Sequence, residues 1–172
     1  LLRGRSIGAV LAVGLGATAA AAASLSTVAD DSLRGFLENF EKGTERFING
    51  DNELWKNNAS KRDDVMIMGA WGAYEKGWAE ASARYDWAVK RFADGGATLE
   101  VEYLSSYVGG DLAVTVAIER SKVKLAGEAA AKPMQLRVTH VFRREDGQWR
   151  MVVRHADPLM SKTPPKATLS GE

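Results

Sequence analysis

The chain has two histidines, His140 and His155, and both fall in one stretch, VTHVFRREDGQWRMVVRHADPL, from Val138 to Leu159. Imidazole titrates near neutral pH, so two such groups on one wall could serve as acid and base towards a bound carbonyl or hydroxyl compound. Asp157 could orient or charge-stabilise His155, which makes His155, Asp157 and His140 the candidate catalytic set. The alternative is that both are core histidines whose ring nitrogens are satisfied by backbone, hydroxyl or water groups. Two histidines and an aspartate could also form a facial metal triad, but no helical His spacing or carboxylate cluster accompanies them, so neither a metal nor a cofactor is expected. The chain has no cysteine, which excludes disulfides, thiol catalysis and thiolate metal sites.

What would position these groups is a hairpin. Asp146-Gly147 tolerates the positive φ angles of a two-residue turn and is flanked by two runs of alternating residues. With that turn as the loop, Glu145 faces Gln148, Phe142 faces Met151, His140 faces Val153 and Val138 faces His155. One face then collects Val138, His140, Phe142, Trp149, Met151, Val153 and His155, and both imidazoles point inward. Asp157 shares their parity. A slip of one residue would exchange the faces.

Upstream, Ser32 is a plausible N-cap for an amphipathic helix carrying Leu33, Phe36, Leu37, Phe40, Phe47 and Ile48, which ends at Asn49-Gly50. Asp51-Asn52 starts a short second helix with Leu54 and Trp55. Val65 to Trp71 reads as a first strand, and a helix from Gly77 to Asp94 presents Trp78, Tyr85 and Phe92 on one side. Leu99 to Tyr107 and Leu112 to Lys124 form another hairpin around Gly109-Gly110, with Tyr103 and Val116 on its core side. Glu100, Glu102 and Glu119 are expected on the outer face. The order predicts an α+β domain, a curved antiparallel β-sheet with helices packed on its concave face, forming a cone.

A chain of 172 residues with 23 basic and 22 acidic side chains suits one soluble domain plus tails. Nothing in its charge pattern points to nucleic acid. Arg3 and Arg5, a following apolar run, and Ala21-x-Ala23 before Ser24 match a cleavable export signal over residues 1–23. The expected order is signal, linker over 24–31, domain over 32–159 and a disordered tail over 160–172. The product would be periplasmic or secreted with no membrane contact after cleavage, or anchored if uncleaved.

The FINGD step after the first helix, the Asp63-Asp64 entry to the first strand, the glycine-bounded loop before the long helix and THVFRREDGQWRMVVRHADP together resemble the nuclear transport factor 2-like superfamily, in its SnoaL-like branch. The resemblance covers roughly Ser32 to Leu159 and implies a cystatin-like, ketosteroid isomerase-like fold with a conical cavity. It does not supply an isomerase. The carboxylate that such an enzyme would carry near Gly69 is missing from Val65 to Trp71, and Phe36, Phe40 and Phe47 offer no hydroxyl. Trp55, Trp71, Tyr103, Phe142, Trp149 and Met151 are expected to line the cavity around a small apolar or carbonyl-containing molecule. Three readings remain: a binding pocket without chemistry; a lyase, isomerase or cyclase using His155 and Asp157 with His140; and a non-catalytic module that pairs as a homodimer through the outer sheet face.

Overall fold

The computed structural model describes Leu25, Val28 and residues 30–93, 95–162 and 164–165. The expected signal over residues 1–23 lies outside them. Leu25 and Val28, within the segment expected as a linker, are buried against the core. No helix among the described residues is long and apolar enough to cross a membrane.

Helix α1 spans Asp31–Phe47 and α2 spans Glu53–Asn58. The N-cap of α1 is Asp30, whose carboxylate accepts from the Leu33 amide at 2.7 Å, while Ser32 donates its hydroxyl to the same oxygen at 2.6 Å. A carboxylate at this place satisfies an orphan amide and complements the helix dipole, which is why it displaces serine from the expected role. After α2 come β1, Met66–Met68, and a two-residue strand β2, Glu75–Lys76. Helix α3, Trp78–Val89, starts after Gly77 at φ 85° and stops short of the expected Asp94. Four long strands follow: β3 Leu99–Gly109, β4 Leu112–Val123, β5 Lys132–Glu145 and β6 Gln148–Pro158.

The strands form a six-stranded sheet in the order β2-β1-β6-β5-β4-β3. It is a curved, unclosed sheet with helices packed on it, as the sequence predicts. It is mixed, however, because β1 pairs parallel with β6. The expected strand Val65 to Trp71 is shorter than its apolar run, since only Met66, Ile67 and Met68 reach partners on β6.

The hairpin between β5 and β6 turns at Asp146, φ 51°, and Gly147, φ 78°, with Glu145 opposite Gln148 and Phe142 opposite Met151. Positive φ at both central residues is the geometry whose twist matches the flanking strands. The next pair is Val141 opposite Val153, so Val152 is an extra residue and a β-bulge. Every side chain of β6 beyond it exchanges faces. His140 lies opposite Arg154, Thr139 opposite His155, and Val138 opposite Ala156. A second bulge, at Leu104, does the same to β3. The upper hairpin also turns one step later than expected, with Gly109 opposite Leu112.

The inner face of β4 is set by its unbroken pairing with β5, which places Ala113 opposite Phe142 and Glu119 opposite Leu136. On β4, Ala113, Thr115, Ala117 and Glu119 are buried, whereas Val114 and Val116 are only half-buried. The expectation that Glu119 points outward and Val116 inward is therefore reversed. Small residues face in because the Phe36 and Phe40 rings of α1 take up the space above them.

Candidate functional site

The inner face of the sheet has a filled end and a hollow end. At the filled end, Phe142 packs edge-on against Phe36 and Phe40, with ring centroids 5.4 and 5.5 Å away, above a fully buried Met151. Trp149 lies beside them, its indole N–H donating to Ser32 Oγ at 3.1 Å and its ring face covered by the Arg144 guanidinium. Phe142, Trp149 and Met151, expected at the ligand, are thus core residues held under α1. Tyr103 is also buried, and it donates its hydroxyl to Glu41 on α1 at 2.9 Å.

At the hollow end, α1 is continued only by Thr44, Phe47 and Ile48, and a cavity of about 110 Å³ opens. Trp55 of α2, Ile67 of β1 and Tyr85 and Ala88 of α3 form one side of it. Leu99, Leu136, Arg154, Ala156 and Glu119 of the sheet form the other. Trp71, on the loop after β1, stands at the rim, 43% exposed, with its ring 5.3 Å from Phe92 and 6.0 Å from Trp87. Of the expected lining residues, Trp55 and Trp71 are at the cavity.

The floor carries a buried ion pair that spans two strands. Arg154 donates to both carboxylate oxygens of Glu119, at 2.8 and 2.7 Å, with only 9% and 6% of the two residues exposed. The same guanidinium donates to His140 Nε2 at 2.7 Å. An arginine has no acceptor, so that imidazole nitrogen must be the unprotonated one, and His140 is neutral with its proton on Nδ1. Burial, reinforced by the adjacent Arg154 cation, holds the His140 pKa well below its ordinary value. Burial disfavours the Arg154 cation, but the Glu119 carboxylate outweighs this and leaves its pKa raised. His140 is therefore inside, as expected, but occupied.

His155 and Asp157 are not inside. The Val152 bulge turns both to the outer face, half-exposed and 3.2 Å from each other, with Arg137 3.7 Å from Asp157. The three groups expected as an acid/base set are split between the two faces of the sheet. In their place are Glu119 and Arg154. The sequence does hold a signal for the exchange: inward apolar residues run at odd positions through Trp149 and Met151, then the apolar position becomes Ala156 between two polar neighbours. Such a break of phase marks a bulge.

Two polar groups on the cavity wall have no partner among the described residues. Trp55 and Tyr85 are each 3% exposed, and neither the Trp55 indole N–H nor the Tyr85 hydroxyl makes a hydrogen bond. Burial raises the Tyr85 pKa. Trp55 is near enough to oppose that rise, but the pair falls short of hydrogen-bond geometry. Glu75 of β2, which pairs with Arg84 at 3.3 Å, has its second carboxylate oxygen unpartnered as well and is close enough to push the Tyr85 pKa further up.

Comparison with known proteins agrees with this geometry. No curated protein matches the chain. Among solved structures, a nuclear transport factor 2-like superfamily protein from Salmonella enterica superposes with a TM-score of 0.64 at 17% identity, covering 77% of this chain and 92% of the other. A ketosteroid isomerase-like protein from Erwinia carotovora gives 0.63 at 12% identity, with 76% and 95% covered. An uncharacterised protein with a cystatin-like fold from Caulobacter vibrioides gives 0.59 at 12% identity, with 80% and 92% covered. Likeness at these identities establishes the fold and no activity. The SnoaL-like domain pattern matches residues 39–160, which takes in the cavity and every strand that floors it, and the chain therefore belongs to the SnoaL-like domain family.

Proposed function

We propose that this domain binds one small, largely apolar molecule at the hollow end of the sheet. The observation that carries the reading is the cavity of about 110 Å³ between α1, α3 and the sheet, walled mostly by aromatic and aliphatic side chains. That volume is somewhat smaller than the roughly 150 Å³ apolar cavity that holds benzene, so the occupant is one small ring at most. Benzene titrated into methyl-labelled protein should move the signals of Ile67, Leu99 and Leu136 and leave those of Leu104 and Leu112 on the outer face in place. Absence of any shift at the cavity methyls would remove the proposal. The acid/base alternative lacks support, because His140 is engaged by Arg154 and His155 and Asp157 lie on the other face.

The proposal includes a homodimer formed through the outer sheet face. Its support is an apolar row across the strands, in which Tyr107 lies opposite Val114, Val114 opposite Val141, Val141 opposite Val153 and Val153 opposite Met66. All five are exposed or half-buried. Sedimentation of Val141→Lys should give a monomer where the parent gives a dimer. Export rests on the sequence of residues 1–23, and mass spectrometry of the mature N-terminus tests it.

A further inference from the structure

The wall of the cavity says more about its occupant than size. Both cations that line it, Arg154 and Arg84, already face carboxylates: Arg154 meets Glu119 through two hydrogen bonds, and Arg84 lies 3.3 Å from Glu75. No uncompensated positive charge is left for an anion, and a buried charge without a partner is strongly disfavoured. The unpartnered Glu75 oxygen near Tyr85 belongs to a residue outside the lining. Of the side chains that line the cavity, two neutral donors lack a partner among the described residues, the Tyr85 hydroxyl and the Trp55 indole N–H. Their rings are 5.8 Å apart, and both side chains line the cavity, the adjoining space from which a partner can come. Buried donors in native proteins are paired as a rule, so two orphans beside one hollow call for a common acceptor.

We infer that the ligand is a small neutral molecule with a hydrogen-bond acceptor, whose acceptor atom takes hydrogen bonds from Tyr85 and Trp55. This rests on the cavity being a binding site at all, and the test separates the two. The three probes are cyclopentanone, methylenecyclopentane, which replaces the carbonyl by a group of the same shape, and cyclopentanecarboxylate, each titrated into the full chain and followed by NMR. In a cavity without donors the ketone would be the weaker ligand, because burying an unpaired carbonyl is unfavourable.

Cyclopentanone should instead bind about fivefold or more tightly than methylenecyclopentane, with a downfield shift of the Trp55 indole proton, and the carboxylate should bind least. Tyr85→Phe deletes a hydroxyl that has no partner, so the fold is expected to survive. It should reverse the ketone preference while leaving methylenecyclopentane within about twofold of its parent affinity. Trp55→Phe should weaken the ketone alone. Should either variant fail to fold, the parent's ketone-to-alkene ratio and the indole shift decide the matter. A preference for the alkene, a preference for the carboxylate, or a ketone preference unchanged in Tyr85→Phe each overturns the inference while leaving the cavity a binding site. If none of the three rings binds, the proposed function falls and this inference with it.

Discussion

The filled and hollow ends of the inner sheet face are built from the same strands, and they differ in what α1 lays over them. Over Ala113, Ala117, Phe142 and Met151 the helix places Leu33, Phe36, Leu37 and Phe40, and the rings interlock. Four residues further on it offers Thr44, whose hydroxyl turns back to the Phe40 carbonyl at 3.0 Å, and beneath it the sheet shows Glu119 and Arg154. One end is packed to specify a fold. The other keeps its charges paired and its volume open, as a domain must if it is to receive something. The contrast runs along a single helix, with interlocked rings under one part of it and open volume over a buried ion pair under the other.

The sharpest way to break this contrast is at the ion pair. Glu119→Gln leaves the Arg154 cation buried without its counter-charge, and the loss is expected to be about 3–5 kcal/mol in chemical unfolding. Replacing both, with Glu119→Leu and Arg154→Met, should return most of that stability, because an apolar pair of similar volume needs no desolvation. A double variant as unstable as the single one would mean that the pair itself holds β4 to β6. At the filled end, Phe142→Ala should lose about 3–5 kcal/mol through the cavity it leaves under Phe36 and Phe40. The two ends should then respond oppositely to added volume. Ala113→Leu overpacks the filled end and should lose about 1–3 kcal/mol, whereas Ala88→Leu projects into the hollow and should change stability by less than about 1 kcal/mol. Equal losses for Ala113→Leu and Ala88→Leu would erase the distinction.

Glu41 sits between the two ends on α1 and gives the comparison a pH axis. Burial raises its pKa to about 7, against the opposing hydrogen bond from Tyr103 and with reinforcement from Glu119 and Glu38. A carboxyl with a raised folded-state pKa holds a proton that the unfolded chain has already released between about pH 4.5 and 7. Its contribution is greatest below that window and is lost as pH rises through it. Glu41→Gln keeps an acceptor for Tyr103 without the charge. It should flatten the stability profile across the window and be the more stable protein at pH 8, by roughly 1–3 kcal/mol. Parallel profiles for parent and variant would place the proton elsewhere.

The overall architecture was readable from the sequence because periodicity and turn chemistry act locally. Asp146-Gly147 fixes a tight turn, Gly77 admits the chain to α3, and alternation marks the long strands. The resemblance to SnoaL-like domains rests on the same segments. Less readable is parity beyond a bulge, which only the loss of phase between Met151 and Ala156 betrays. A single unpaired residue, Val152, is set by a contact from outside the hairpin, where Ala59 bridges to Met151 and the Ser60 amide donates to the Met151 carbonyl at 2.8 Å. Strand alternation carries no trace of that partner. The same limit hid Glu119, because a carboxylate on a strand reads as solvated until the arginine that neutralises it is known to share its face. The exclusion of Phe142, Trp149 and Met151 from the cavity is likewise a property of how far the rings of α1 extend, which no property of β5 and β6 encodes.

The smallest effect is the most telling about that bulge. His155 and Asp157 lie on the outer face, half-exposed, and an exposed ion pair of this kind is worth little. His155→Ala and Asp157→Ala should each change stability by less than about 0.5 kcal/mol and leave binding of a cavity probe such as benzene unaltered. His140→Ala should do the opposite. It removes the ring that accepts from Arg154 and touches Phe40 edge-on at 5.0 Å, and by opening a void under α1 it should lose about 2–4 kcal/mol. Without the bulge the two histidines would share a wall and respond alike. A difference of several-fold between them, measured in one denaturation series, therefore reads the phase of β6 directly, and equal responses would put Val152 back into register and His155 back inside.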